Sequence, residues 1–260
     1  MNFLRGPMGQ RSIAGLGDAD PNRDARASMS QDAIAAEQQR FMVRVYNWMT
    51  AGLGVTGFMA LWVSNSETLM SIVIGGPQVF GFPIAVLVLI AAQLGLVFYL
   101  STKVQHMSAS QAQGVFILYA GLTGITFSIL FLFYTAASIT STFLVTAGTF
   151  GAMSFYGYTT KKDLTSWGSF LFMGLIGIII ASVVNMFMQS AAIYWIVTYA
   201  GVLIFIGLTA YDTQKIKEMN ILGNEGTDED TKEAIIGALT LYLDFINLFL
   251  MLLRIMGDRR

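Results

Sequence analysis

Residues 192–214 read AIYWIVTYAGVLIFIGLTAYDTQ, and the twenty residues from Ala192 to Tyr211 carry no charge. At about 1.5 Å per residue, such a run crosses a hydrocarbon core of about 30 Å. Inside lipid the backbone has to satisfy its own hydrogen bonds, so the run reads as a membrane-spanning α-helix. Its one charged residue is Asp212, close to its end. The next apolar run, 233–254, carries another acid in its middle, Asp244. Working back along the chain gives five more runs, approximately 43–64, 80–101, 113–134, 137–158 and 168–188. The predicted fold class is therefore an all-α membrane protein with seven transmembrane helices. The very short connections at 135–136 and 189–191 predict antiparallel neighbours for segments 3 and 4 and for segments 5 and 6.

Composition agrees. Of 260 residues, 55% are hydrophobic and 12% charged, against about 45–50% and about 25% in soluble domains. There is no cysteine and one histidine, His106. Disulfides, thiolate nucleophiles and His or Cys metal clusters are excluded. A net charge of −1 argues against a nucleic-acid partner. Residues 1–38 are polar and read as a disordered cytoplasmic tail leading into an interfacial helix near Gln31–Arg40; residues 39–260 form the transmembrane domain.

Lys and Arg counts in short loops set the orientation. The N-terminal region supplies Arg5, Arg11, Arg23, Arg26, Arg40 and Arg44. Lys103 follows segment 2, Lys161 and Lys162 follow segment 4, and Lys215, Lys217 and Lys232 surround the 6–7 connection. The alternate loops carry no Lys or Arg, so the N-terminus is placed in the cytoplasm. Arg254, Arg259 and Arg260 conflict with this pattern: segment 7 either crosses against the rule or re-enters and returns. Paired glycines at Gly52 and Gly54, Gly121 and Gly124, and Gly174 and Gly177 point to close helix packing.

Asp212 and Asp244 are the two acids at membrane depth. They sit on consecutive antiparallel segments, each about 10–13 residues, or roughly 15–20 Å, from the connecting loop. A carboxylate in the bilayer costs about 2.5–3.5 kcal/mol on insertion scales, so it persists only if paired, neutralised or wet. Two neighbouring carboxylates titrate as a coupled unit, with a charge that changes near physiological pH. The structural alternative is a shared-proton hydrogen bond that merely joins two helices. Asn185 and Asn247 read as packing hydrogen bonds.

Four ordered motifs carry a resemblance: Lys103-Val104-Gln105-His106-Met107-Ser108, the stretch Met153–Leu164, Tyr211-Asp212-Thr213-Gln214-Lys215-Ile216, and Leu241–Phe249. With these the chain resembles the Bax inhibitor-1 (transmembrane Bax inhibitor motif) family, in its bacterial YccA-like branch, over about residues 35–260. The resemblance implies a seven-helix bundle with a central C-terminal helix in the bacterial inner membrane. It also implies a pH-sensitive calcium leak gated by an aspartate pair matching Asp212 and Asp244, which would hold calcium transiently as transported ion. Family members often place an arginine after helix 2 that latches onto the pair. Here Lys103 takes that position, supplying the charge without the bidentate fork; it reads equally as an inside-facing loop charge. Bacterial relatives are also associated with restraining a membrane-bound ATP-dependent protease, so an interaction protein without transport of its own is the alternative. An intramembrane aspartyl protease is disfavoured, because Leu241-Tyr242-Leu243 replaces the Gly-x-Gly before the second acid. The protein is read as a non-enzyme with no cofactor.

Overall fold

The computed structural model describes residues 30–79 and 81–260. Most of the segment read as a disordered tail lies outside the described residues. The chain forms helices α1 (Gln31–Ser64), α2 (Glu67–Ile74), α3 (Ile84–Lys103), α4 (Ala109–Phe127), the single turn α5 (Leu130–Phe133), α6 (Ala136–Thr159), α7 (Thr165–Met188), α8 (Ala191–Met219) and α9 (Asp228–Met256). A two-stranded hairpin, β1 (Gln78–Val79) and β2 (Phe82–Pro83), lies between α2 and α3.

Among the described residues, six helices are each long and apolar enough to cross a membrane. The pair α1 and α2, bent by 99° at their junction, qualifies as a seventh span when taken together. The stretch Gln31–Arg40, read as a separate interfacial helix, is the start of α1. Ser30 opens α1 by accepting the Ala33 N–H, and no break follows until Ser64. The short α2 was not anticipated: at eight residues it is below the length that a spanning pattern can reveal.

The helix α9 is the axis of the bundle. It packs against α1, α4, α6 and α8, and 61% of its most apolar window is buried against 11–33% for the other five spans. It runs unbroken over 29 residues, about 43 Å at helical rise, long enough to cross and without the break that a re-entrant segment needs. Its arginine-rich end therefore lies opposite the basic end of the bundle, where Arg40, Arg44, Lys103, Lys161 and Lys162 sit. At this C-terminal end the chain is tied to the α5–α6 turn: Thr135 N–H donates to the Asp258 carbonyl and Arg260 N–H to the Phe133 carbonyl.

Segments 5 and 6, now α7 and α8, pack side by side as expected. Segments 3 and 4 do not. α6 packs on α8 and α9 instead of on α4, because α9 inserts its aromatic face between them. Phe143 and Phe150 of α6 meet Phe245 edge-on at 5.3 and 5.5 Å, while Phe116 and Tyr119 of α4 meet Tyr242. Crevices of about 880 and 310 Å³ lie between α1 and α6 along α9.

Of the six paired glycines, Gly52 and Gly124 serve the α1–α4 contact, where an added methyl group would strike the Phe116 ring or the Thr56 backbone. Gly54 and Gly177 face open space. Two glycines outside the pattern matter more: Gly157 lets α6 reach the Ala210 backbone, and Gly168 makes room for the Tyr211 ring.

Candidate functional site

The segment Tyr211–Lys217 is anchored on three sides, and that anchoring aims Asp212. Thr213 points toward α6, where its hydroxyl lies 2.9 Å from Ser154 Oγ, which in turn bonds Tyr46 of α1. Gln214 holds the α6–α7 corner, accepting the Leu164 N–H and donating to the Lys162 carbonyl, both at 2.8 Å. Lys217 Nζ donates to the Tyr158 carbonyl at 3.1 Å and sits over that residue's ring. Tyr211 fills the space left by Gly168 of α7. Asp212 is thereby left on the face that looks toward α7 and α9.

Asp244 comes to the same place from α9 and is only 5% exposed. The two carboxyls face one another at hydrogen-bonding range. The Asp244 Oδ2 is buried and meets no backbone or side-chain N–H or hydroxyl. A contact between two carboxyls is stable only when they share a proton or a cation. Asp212 lies roughly two turns from the end of α8 and Asp244 roughly four turns into α9, and not at the equal distances of about 10–13 residues expected from the sequence. They meet because α9 starts well beyond the end of α8, at the level where Ile216 packs against Gly237.

Both acids line a cavity of about 820 Å³ between α7, α8 and α9. Its walls are largely aliphatic and aromatic, with polar groups from Ser169, Ser182, Thr240, Asn247 and Lys215. Lys215, one turn from Asp212, is exposed and is the cation whose charge acts on it. Among the described residues no group of three or more His, Asp or Glu side chains is arranged to hold a metal. The oxygen atoms of this cavity suit passing hard cations, with water completing the shell.

Other candidates lie elsewhere. Lys103 ends α3, is exposed, and makes no ion pair among the described residues. It does not line the acid cavity. His106 sits exposed in the 3₁₀ turn after α3. Asn185 accepts the Ser190 N–H across the α7–α8 turn at 2.8 Å, and Asn247 donates to the Leu243 carbonyl of its own helix. The residue that sequence reasoning passed over is Lys215. Its place three residues after Asp212 on a helix was the available signal.

At the same basic end, the α8–α9 loop is clasped onto α1. Arg40 grips Glu225 with two bonds at 2.7 and 2.9 Å, Arg44 reaches Asp230 at 2.8 Å, and Glu37 accepts the Gly223 N–H. The Arg40 hydrogen bonds, helped by the charges of Arg40 and Arg44, hold the Glu225 carboxyl below the usual glutamate range.

Residues 38–260 match the family described as "Inhibitor of apoptosis-promoting Bax1". The chain is 54% identical to the "Inner membrane protein YbhL" of Escherichia coli (strain K12), over 85% of this chain and 93% of that one. It is 44% identical to an uncharacterized protein of Borreliella burgdorferi, over 86% and 94% of the two chains, and 44% identical to the uncharacterized protein RP147 of Rickettsia prowazekii, over 85% and 91%. With its apolar spans and an inner-membrane relative that it matches nearly end to end, this chain is a multi-pass inner membrane protein and belongs to the Bax inhibitor-1 family.

Proposed function

We propose that the protein is a pH-sensitive cation leak of the inner membrane, with calcium as the transported ion and the Asp212–Asp244 pair as its gate. The observation that carries this reading is the facing of two carboxyls between α8 and α9, one of them with a buried oxygen that no donor meets. As protons leave, the pair gains negative charge that attracts a hard cation to oxygen ligands. As protons return, the carboxyls bond each other and release it. The protein performs no covalent chemistry in this scheme. A pair of carboxylates with a few neutral oxygens holds calcium weakly, which suits an ion in transit. Lys215 at the cavity wall competes with the ion for Asp212, a role the resemblance assigned to Lys103.

The orientation that goes with this reading places the N-terminus in the cytoplasm, on the strength of the basic residues at that end. A reporter fused after Arg260 is then active only outside the cytoplasm.

The test is calcium influx into liposomes containing the purified full chain, followed across pH. Wild-type flux changes with pH, while Asp212→Asn and Asp244→Asn each flatten the profile. Flux that keeps its wild-type pH profile in both variants sinks the proposal.

A further inference from the structure

The three arginines at the C-terminal end, which break the charge asymmetry of the loops, have a place to act. A pocket of about 580 Å³ opens there between the end of α7, the start of α8 and the end of α9. Its only charged lining residues are Arg254 and Arg259. Neither forms an ion pair among the described residues. Both meet Tyr194: the Arg254 guanidinium lies 5.5 Å over its ring, and Arg259 Nη2 donates to its hydroxyl at 3.1 Å, while Arg259 is also paired with Tyr134. Two cations held side by side without a carboxylate repel each other and favour an anion between them.

The rest of the pocket supplies what an anion needs. Gln189 adopts a left-handed backbone (φ 51°), uncommon for a side chain of this kind. That turn brings the end of α7 against the first residues of α8. Asn185 spends its carbonyl oxygen on the Ser190 N–H, which leaves its amide N–H₂ as a donor on the pocket wall. The start of α8 adds the positive end of a 29-residue helix. Favourable interaction with the α9 dipole accounts for an arginine in the last turn of that helix. Arg259 lies beyond the helix; its bridge to Tyr134 places the backbone, and its guanidinium reaches Tyr194, the same tyrosine as Arg254.

We propose that this pocket binds a phosphate anion, presented by the headgroup of a phospholipid in the leaflet at that end. The lipid source follows from the surroundings. Trp195 stacks on Tyr199 at 5.6 Å at the pocket rim, in the arrangement of an interfacial aromatic belt. Below it Tyr199 and Leu203 leave a bare apolar face on α8, 54% and 70% exposed. An acyl chain lies along that face while its phosphate sits between the guanidiniums; a free phosphate gains nothing from it. This site lies at the C-terminal end of α9, ten residues or about 15 Å beyond Asp244, shares no lining residue with the acid cavity and is independent of the leak proposal.

The test is retention of phosphatidylglycerol by the purified full chain in native mass spectrometry, together with the shift in Tm that the lipid produces. Wild type retains one lipid through delipidation and gains Tm on its addition. Arg254→Gln with Arg259→Gln weakens retention by about tenfold, the scale of losing two charge-assisted bonds to phosphate. Lys161→Gln with Lys162→Gln, at the other end, leaves retention unchanged. Arg259→Gln alone, outside the helices, and Arg254→Lys, which keeps the charge but not the fork, give intermediate losses without threatening the fold. Equal retention by wild type and all the arginine variants overturns the site. A Tm gain from inorganic phosphate equal to that from the lipid, lost in the arginine variants, overturns the lipid assignment.

Discussion

Tyr242 and Asp244 are two residues apart on α9, both buried, both polar, and they face opposite sides of the helix with opposite treatment. On the Tyr242 side, α1 and α4 close around the ring. Phe116 and Tyr119 pack on it edge-on at 5.9 and 5.7 Å, and its hydroxyl lies 2.7 Å from Thr56 Oγ1. Thr56 in turn reaches the Gly52 and Ala120 carbonyls, so one chain of hydroxyls joins three helices with its partners matched. On the Asp244 side a carboxyl faces another carboxyl across the rim of a large cavity. A buried polar group that is fully partnered stabilises a fold; one set against its own kind with room beside it retains protons or ions at the expense of stability. In the proposed scheme the two faces of one helix separate holding the bundle together from acting on its contents.

The largest effect expected from breaking this contrast is on the closed face. Tyr242→Ala removes a ring enclosed by two neighbouring helices, α1 and α4. In soluble proteins such a deletion costs about 3–5 kcal/mol. Here the unfolded helix stays in lipid, so the transfer part drops out and packing remains, which puts the loss near about 3 kcal/mol. Steric-trap unfolding in bicelles measures it, and the pH profile of flux in the surviving folded fraction stays that of wild type. A strong change in the profile with little loss of stability would erase the distinction between the two faces.

Asp244→Asn should do the reverse. An amide donates to Asp212 where the carboxyl could not without a proton, so unfolding free energy rises by about 1 kcal/mol while the pH dependence of flux is lost. Tyr242→Phe probes the closed face at lower amplitude. It removes only the hydroxyl, and Thr56 keeps its carbonyl acceptors, so the loss is about 0.5 kcal/mol with flux unchanged.

How far each face was legible in the sequence follows from what its chemistry writes into the chain. The spans were readable because Ala192–Tyr211 and its counterparts carry no charge over a membrane thickness. The acids were readable because Asp212 and Asp244 are anomalies within such runs, but the matching distances from the loop do not hold: Asp212 lies about two turns from the end of α8 and Asp244 about four turns into α9. Depth also says nothing of direction. The side on which Asp212 emerges is set by Thr213, Gln214 and Lys217, whose partners lie on α6 and in the α6–α7 corner, 50 to 59 residues away in sequence. Short loops also mislead about packing. The connection at Thr135 predicts that α4 and α6 touch, yet the aromatic face of α9 fills the space between them. Arg254 and Arg259 registered only as a breach of the positive-inside rule, since nothing local announces that both converge on Tyr194.

The smallest expected effect lies at the basic end, where the α8–α9 loop joins the two helices that carry the acids. Arg40 and Arg44 lower the proton affinity of Glu225 in the folded state. A carboxyl so held contributes stability that is complete above the usual glutamate range and is lost as pH falls through its depressed value. Glu225 is solvent-exposed, so its share is small and shrinks with salt. The measurement suited to it is local: amide hydrogen exchange at Gly223 and Gly226, whose N–H groups are bound by Glu37 and Asp230 in the same clasp. Near neutral pH, Glu225→Gln speeds exchange at both glycines modestly; at a pH below the folded value of Glu225, variant and wild type exchange alike. A variant that differs from wild type equally at both pH values would mean that the clasp depends on the shape of the side chain. The two acids and Glu225 would then respond to pH through unrelated parts of the hairpin, because the loop joining α8 to α9 would carry no charge-dependent contact with α1 at Glu225.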